Sequence, residues 1–356
     1  MSGFSTDDVR AAVAAGVINE SQASRLVTMA QSRQGVRTYL SGEDEPFEFF
    51  RGFAEIFVTV GLGLLFAGIF AITALLGGGA VVPIVGMLLC AGFAVYFTKK
   101  RRMSLPSIAL ATGFGLFMAI STGMIIGTGE IPEAGHGLII GLVGMAGMAL
   151  YFNYFKLPFS MFILGLFGIV TILSLAGIVS NDRRIFFDFP ESLFDLGHGS
   201  VMAYGSLIFG VLAFAGGIWF DLKDPHRISR YSSSAFWLHM LAAPALVNVV
   251  ALSLFNIGGI VGYTLTSAAL LCVTIVALVI DRRSFLTAGI GYIAVLIFMA
   301  LENSTDEHIS TVVTLLVLGG VVTFLGTWWV QIRDIVMQAL PNFPLKKRLP
   351  PYSESV

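Results

Sequence analysis

The residues best suited to chemistry lie in two stretches that follow one another. The first reads Asp221-Leu222-Lys223-Asp224-Pro225-His226-Arg227-Ile228-Ser229-Arg230 and runs into Tyr231. Asp221 and Asp224 can pair with Arg227 and Arg230 as an ion-pair lattice near helix ends, and Asp224-Pro225 favours a turn. Such a loop acts as a gate or recognises an anion; the competing reading is a solvated basic turn that only fixes topology. The second stretch spaces Trp237, Leu241, Pro244 and Asn248 at i, i+4, i+7 and i+11, which is one helical face. Pro244 has no N–H, so the carbonyl of Met240 loses its helical partner. That carbonyl and the Asn248 amide are costly in hydrocarbon and are expected to face protein or water. They make either an interhelical contact steadying a kinked helix or a polar solute site reached from the cytoplasm. His239 lies nine residues before Asn248, about half a turn around the helix. Its place near the inner end of the span suggests contact with headgroups.

Other chemistry finds little support. His136, His198 and His308 fall near Glu130, Glu133, Asp195, Glu302 and Glu307, but no His-x-x-x-His spacing marks a cation site, so no metal is expected. Cys90 and Cys272 lie far apart in apolar runs and read as small hydrophobes. No Asp, Glu, Lys or Arg stands near the middle of an apolar run, where a proton-coupled carrier or a carboxylate-pair hydrolase would keep one. The chain has no Gly-x-Ser-x-Gly elbow, phosphate-binding glycine loop or metalloprotease helix motif. No catalytic residue and no cofactor is expected. A net charge of -1 and the lack of a basic stripe on a soluble face speak against nucleic acid.

The elements that must position these residues are apolar helices. Of 356 residues, 56% are hydrophobic and 12% charged, against about 25% charged in a soluble domain. A bilayer core of about 30 Å needs roughly 20 apolar residues per helix. That rule gives an all-α, polytopic transmembrane helical bundle of about ten spans. They fall near 53–76, 80–97, 105–127, 135–153, 157–179, 199–220, 235–255, 258–280, 285–302 and 309–331. With both termini inside, 19 of the 21 Lys and Arg residues lie on the cytoplasmic side, and only Arg183 and Arg184 fall outside. The positive-inside rule therefore supports an N-in/C-in topology. No signal-peptide pattern opens the chain. The outer loop 181–198 alternates acids with Phe186, Phe187, Phe189 and Phe194 and is expected to lie in the interface. Glu55 is expected to pair with Arg51 near the inner headgroups.

Residues 1–40 read as a cytoplasmic helical hairpin with its first stop at Gly16, and 41–52 as a linker. The bundle occupies 53–331. An amphipathic, basic tail covers 332–356, with Ile332, Ile335, Val336 and Leu340 on one face and Lys346, Lys347 and Arg348 near anionic headgroups. A hairpin design recurs: Tyr96-Phe97 and a basic turn precede Leu105-Pro106, and Tyr151-Phe152 with Lys156 precede Leu157-Pro158. Small residues, Gly61 with Gly63, Gly137 with Gly141, and Gly319 with Thr323 and Thr327, are expected at close helix contacts.

The stretch Ala15-Gly16-Val17-Ile18-Asn19-Glu20-Ser21-Gln22-Ala23 resembles the turn of a helical hairpin that precedes the spans in a group of uncharacterised polytopic bacterial membrane proteins. The resemblance covers about the first 40 residues and the span pattern. It implies the architecture and no reaction or cofactor. The 221–230 loop is similar to the acidic–basic loop of major-facilitator transporters in charge alone, without the glycine spacing of that motif. The expectation is a multi-pass protein of a bacterial inner membrane, in contact with membrane lipids. It is either a transporter or channel for a small solute or a scaffold recruiting a protein partner through its cytoplasmic hairpin and tail. In the first case Pro244, Asn248 and the loop from Asp221 to Arg230 form the site or gate.

Overall fold

The computed structural model describes residues 8–9, 11–12, 15–18, 22, 26, 53–76, 79–127, 133–180, 193–198, 200–224, 230–302, 307–350 and 352. Each of the ten expected apolar runs is a helix: α1 Phe53–Leu76, α2 Val81–Ala94, α3 Ser104–Ile126, α4 Glu133–Phe155, α5 Ser160–Ser180, α6 Val201–Asp221, α7 Arg230–Phe255, α8 Gly259–Ile280, α9 Ser284–Glu302 and α10 Glu307–Thr327. A further helix, α11, spans Trp329–Ala339. Helices follow because a hydrocarbon layer offers no partner to a backbone N–H or C=O, and a helix satisfies each within its own segment. Hydroxyls are settled in the same local way: Ser121 and Thr266 donate to the carbonyls of Phe117 at 2.6 Å and Gly262 at 2.8 Å.

Among the described residues eight helices, α1 to α8, are long and apolar enough to cross a bilayer, α2 only together with the π-helical segment Val95–Lys100 that continues it. The ninth expected run contributes a shorter apolar stretch, Ser284–Phe298. The tenth, expected to continue to residue 331, stops at Thr327, and α11 leaves it at 73°. No proline causes this break. The chain turns where Trp329 and Arg333, both buried, reach the α8–α9 turn. The buried stripe of α11 is Trp329, Arg333 and Met337, while Ile335 of the expected apolar face is 66% exposed.

Neighbouring helices run antiparallel, and one end of the bundle gathers the basic turns. There Lys99 of the α2–α3 turn lies 3.2 Å above the ring of Tyr154 in α4. Phe152 of α4 meets Phe220 of α6, and Arg333 of α11 donates to Leu278 at the end of α8. Glu55 joins the same end. It is buried, and its carboxylate accepts the N–H of Leu105 at 3.1 Å, capping donors that open α3. Arg51 lies outside the described residues. The three non-glycine residues with left-handed backbone, Arg102, Lys156 and Asp281, all sit in turns at this end. Two of them end the first helix of the recurring hairpins noted in the sequence.

Two cores result. One gathers α1 to α5 around Cys90, Leu110, Phe117 and Met148; the other gathers α6 to α9 and α11 around Ala242, Ala243, Leu278 and Trp329. The helix α5 packs on both sides. Small residues serve these contacts unevenly. A Cβ on Gly141 would come within 2.9 Å of the Thr171 backbone, so α4 and α5 touch main chain to main chain. Gly61, Gly63 and Gly319 meet nothing within 4 Å, and the close contacts expected of them are not made inside this chain. In the N-terminal segment, Gly16 has φ +70°, and Ile18 and Val17 donate back to Ala12, which is a helix stop. The rest of the expected hairpin and the 41–52 linker lie outside the described residues.

Candidate functional site

The site is assembled at the end of α6. A glycine one helical turn before an acid, Gly217 and Asp221, leaves a gap beside a carboxylate on one face. The imidazole of His239 fills that gap. A Cβ on Gly217 would lie 2.6 Å from its Cε1 and 2.7 Å from its Nε2. The rings of Phe214 and Phe285 pack against it with centroids 5.5 and 5.8 Å away, and His239 is fully buried. The sequence suggested contact with headgroups because α7 was expected to start at 235. The helix starts at Arg230, which carries His239 about 13 Å into it at 1.5 Å per residue.

Nε2 of His239 lies 2.9 Å from Oδ2 of Asp221. The other partner comes from a turn 61 residues on. Arg282 donates from Nη2 to Oδ1 of Asp221 and from Nε to Oδ2 at 3.3 Å. Its Nη2 also donates to the Ser232 carbonyl of α7 at 3.0 Å. Arg282 is fully buried and Asp221 is 5% exposed. A carboxylate held by a guanidinium accepts only, so His239 is the donor in its bond. With neutral His239 the cluster carries no net charge; one proton taken up on the ring makes it a cation sealed among aromatics.

The residue before Arg282 faces the other way. Asp281 adopts left-handed backbone, with φ 60° and ψ 48°, a conformation Asp tolerates better than most residues. Its Oδ1 accepts the indole N–H of Trp329 at 2.7 Å and lies 3.7 Å from Nε of Arg333. Arg333 donates to the carbonyls of Leu278 at 3.0 Å and Pro350 at 2.7 Å, and Lys346 donates to that of Leu340 at 2.7 Å. Arg333 thus ties the tail to the bundle, and Lys346, one of the residues expected to meet headgroups, is buried and bonded within the tail itself.

Of the residues singled out in the sequence, the structure unites Asp221 and His239. Asp224 is buried just beyond α6, Arg230 is exposed at the start of α7, and Arg227 lies outside the described residues. Asp221 is held by Arg282 and His239; the lattice expected among these four depends on Arg227 and so lies outside the described residues. The other stripe occupies the opposite face of α7. Trp237 packs on Phe159, just before α5, and on Phe162 within it, Leu241 meets Gly165, Asn248 is half-buried and Pro244 is exposed. Sequence reasoning passed over Arg282, Asp281, Trp329 and Arg333. Arg282 reads as a topology charge beside Arg283, and the usable signal was Gly217 spaced four residues before Asp221. His136 bonds the carbonyl of Gly127 at 2.8 Å; the side chains of His198 and His308 lie outside the described residues. Comparison with protein-family models, curated proteins and solved structures finds no match to this chain.

Proposed function

We propose that this is a bacterial inner-membrane protein of about ten spans with both termini in the cytoplasm. In this reading it is a transporter or channel for a small solute, with Asp221, Arg282 and His239 as the lock on its cytoplasmic end. The topology rests on the basic turns gathered at one end of the bundle and the positive-inside rule. The lock rests on one observation: a buried carboxylate, guanidinium and imidazole join α6, α7 and the α8–α9 turn. Apolar residues of similar volume would hold these helices as well or better. Ionisable groups held within membrane helices usually mark a pathway or relay. An ion pair that can part and reform gives two discrete states.

The test uses two thiol reporters. Both are set in a chain with Cys90 and Cys272 replaced: Ala243→Cys, fully buried one turn beyond His239 on the same face of α7, and Asn248→Cys on the opposite face. Asp221→Asn should speed labelling at Ala243→Cys by a membrane-impermeant reagent from the cytoplasmic side about tenfold, the effect of about 1.4 kcal/mol in the open–closed balance. A response at Asn248→Cys instead would move the path to the Pro244 face. If neither responds in protein that elutes as the wild type, the core is sealed and the scaffold reading replaces transport.

A further inference from the structure

A cleft of about 280 Å³ lies between α6, α7, α8 and α9. Phe214, Leu246, Val247, Ala269, Cys272 and Val273 line it, and the thiol is its one side chain with a polar hydrogen. Its floor, at Val247 and Phe285, is buried, while Cys272 and Val276 at its mouth are exposed. We infer that this cleft is a binding site for one acyl chain of a membrane lipid. Water there would find no partners, and an apolar cavity of about 150 Å³, roughly half this size, stays dry yet binds benzene. The mouth also lies at the right depth. Cys272 is eight residues from the end of α8 at Ile280, about 12 Å by helical rise, within a hydrocarbon layer of about 30 Å. Acyl chains are therefore what the mouth meets. The inner wall consists of Phe214 and Phe285, the two rings that hold His239. A seated chain stops one ring short of the ion cluster, and its headgroup stays outside because no charged side chain enters the cleft.

The test is photo-crosslinking of the full chain in vesicles doped with a phosphatidylglycerol carrying a diazirine on its acyl chain. Adducts on the peptide holding Cys272 and Val273 should saturate as the doped fraction rises. Those around Leu316 of α10, exposed on another face, should rise linearly as ordinary lipid contact. Ala269→Phe, or Val273→Phe if the first fails to fold, should cut the saturable adduct at least tenfold. Linear labelling at both places in the wild type overturns the site, as does saturable labelling that survives the filling variants. A second copy seated in the cleft would appear as a Cys272–Cys272 disulfide dimer on mild oxidation, and that too overturns it.

Discussion

Arg282→Met tests whether the ion cluster is sealed from water. The substitution removes a guanidinium that donates twice to Asp221 and once to the Ser232 carbonyl and leaves a carboxylate at 5% exposure. Breaking one partner of a buried pair costs about 3–5 kcal/mol. The lower half of that range is expected, because His239 still bonds Oδ2. Asp221→Asn added to Arg282→Met removes the stranded charge and should return most of the loss, to within about 1–2 kcal/mol of the wild type. Unfolding by dodecyl sulfate in mixed micelles, followed by tryptophan emission, measures all three proteins. A single-variant loss below about 1 kcal/mol, the range of exposed pairs, would show that water reaches the cluster. A double variant as unstable as the single would show that the helices need the ions for packing, and the argument for a lock would fail.

Other outcomes follow from the same contacts. Gly217→Ala drives a methyl into the His239 ring and should cost about 1–3 kcal/mol as overpacking; the loss should shrink when His239→Ala is combined with it, read in the same unfolding assay. Trp329→Phe keeps the buried ring but takes the indole donor from Asp281, a loss of about 1.5–3 kcal/mol for a bond to a charged group. Arg333→Met frees the Pro350 carbonyl, and limited proteolysis should then cut the 340–352 segment faster while the bundle core stays intact; unchanged cleavage would mean the tail is held elsewhere.

The helices were legible because each apolar run is close to the length a bilayer demands, and a chain in hydrocarbon has no other way to satisfy its backbone. The stop of α10 was not, since Gly326 does not stand apart from Gly319 and Gly320 inside the same helix and the turn is set by what Trp329 reaches. The stripe of Trp237, Leu241, Pro244 and Asn248 was correctly a single face. Periodicity defines a face without saying which neighbour covers it, and here the face meets α5 at Trp237 and the exterior at Pro244. Asp221 and His239 were both noticed, yet their meeting depended on a gap at Gly217 and a cation 61 residues away. Arg333 stayed hidden for a different reason. A guanidinium on a buried helical stripe breaks the apolar pattern by which such stripes are found, and only the carbonyls it caps explain its place.

The left-handed residue at Asp281 has one more effect. It sends two consecutive side chains, an acid and a base, toward separate partners, Trp329 and Arg333 on one side and Asp221 on the other. Inserting one residue before Asp281 would turn its carboxylate toward Asp221 in a dry site, and deleting one would bring Arg282 against Arg333. Most surface connections absorb insertions readily, whereas this one is fixed in length by the order of its charges.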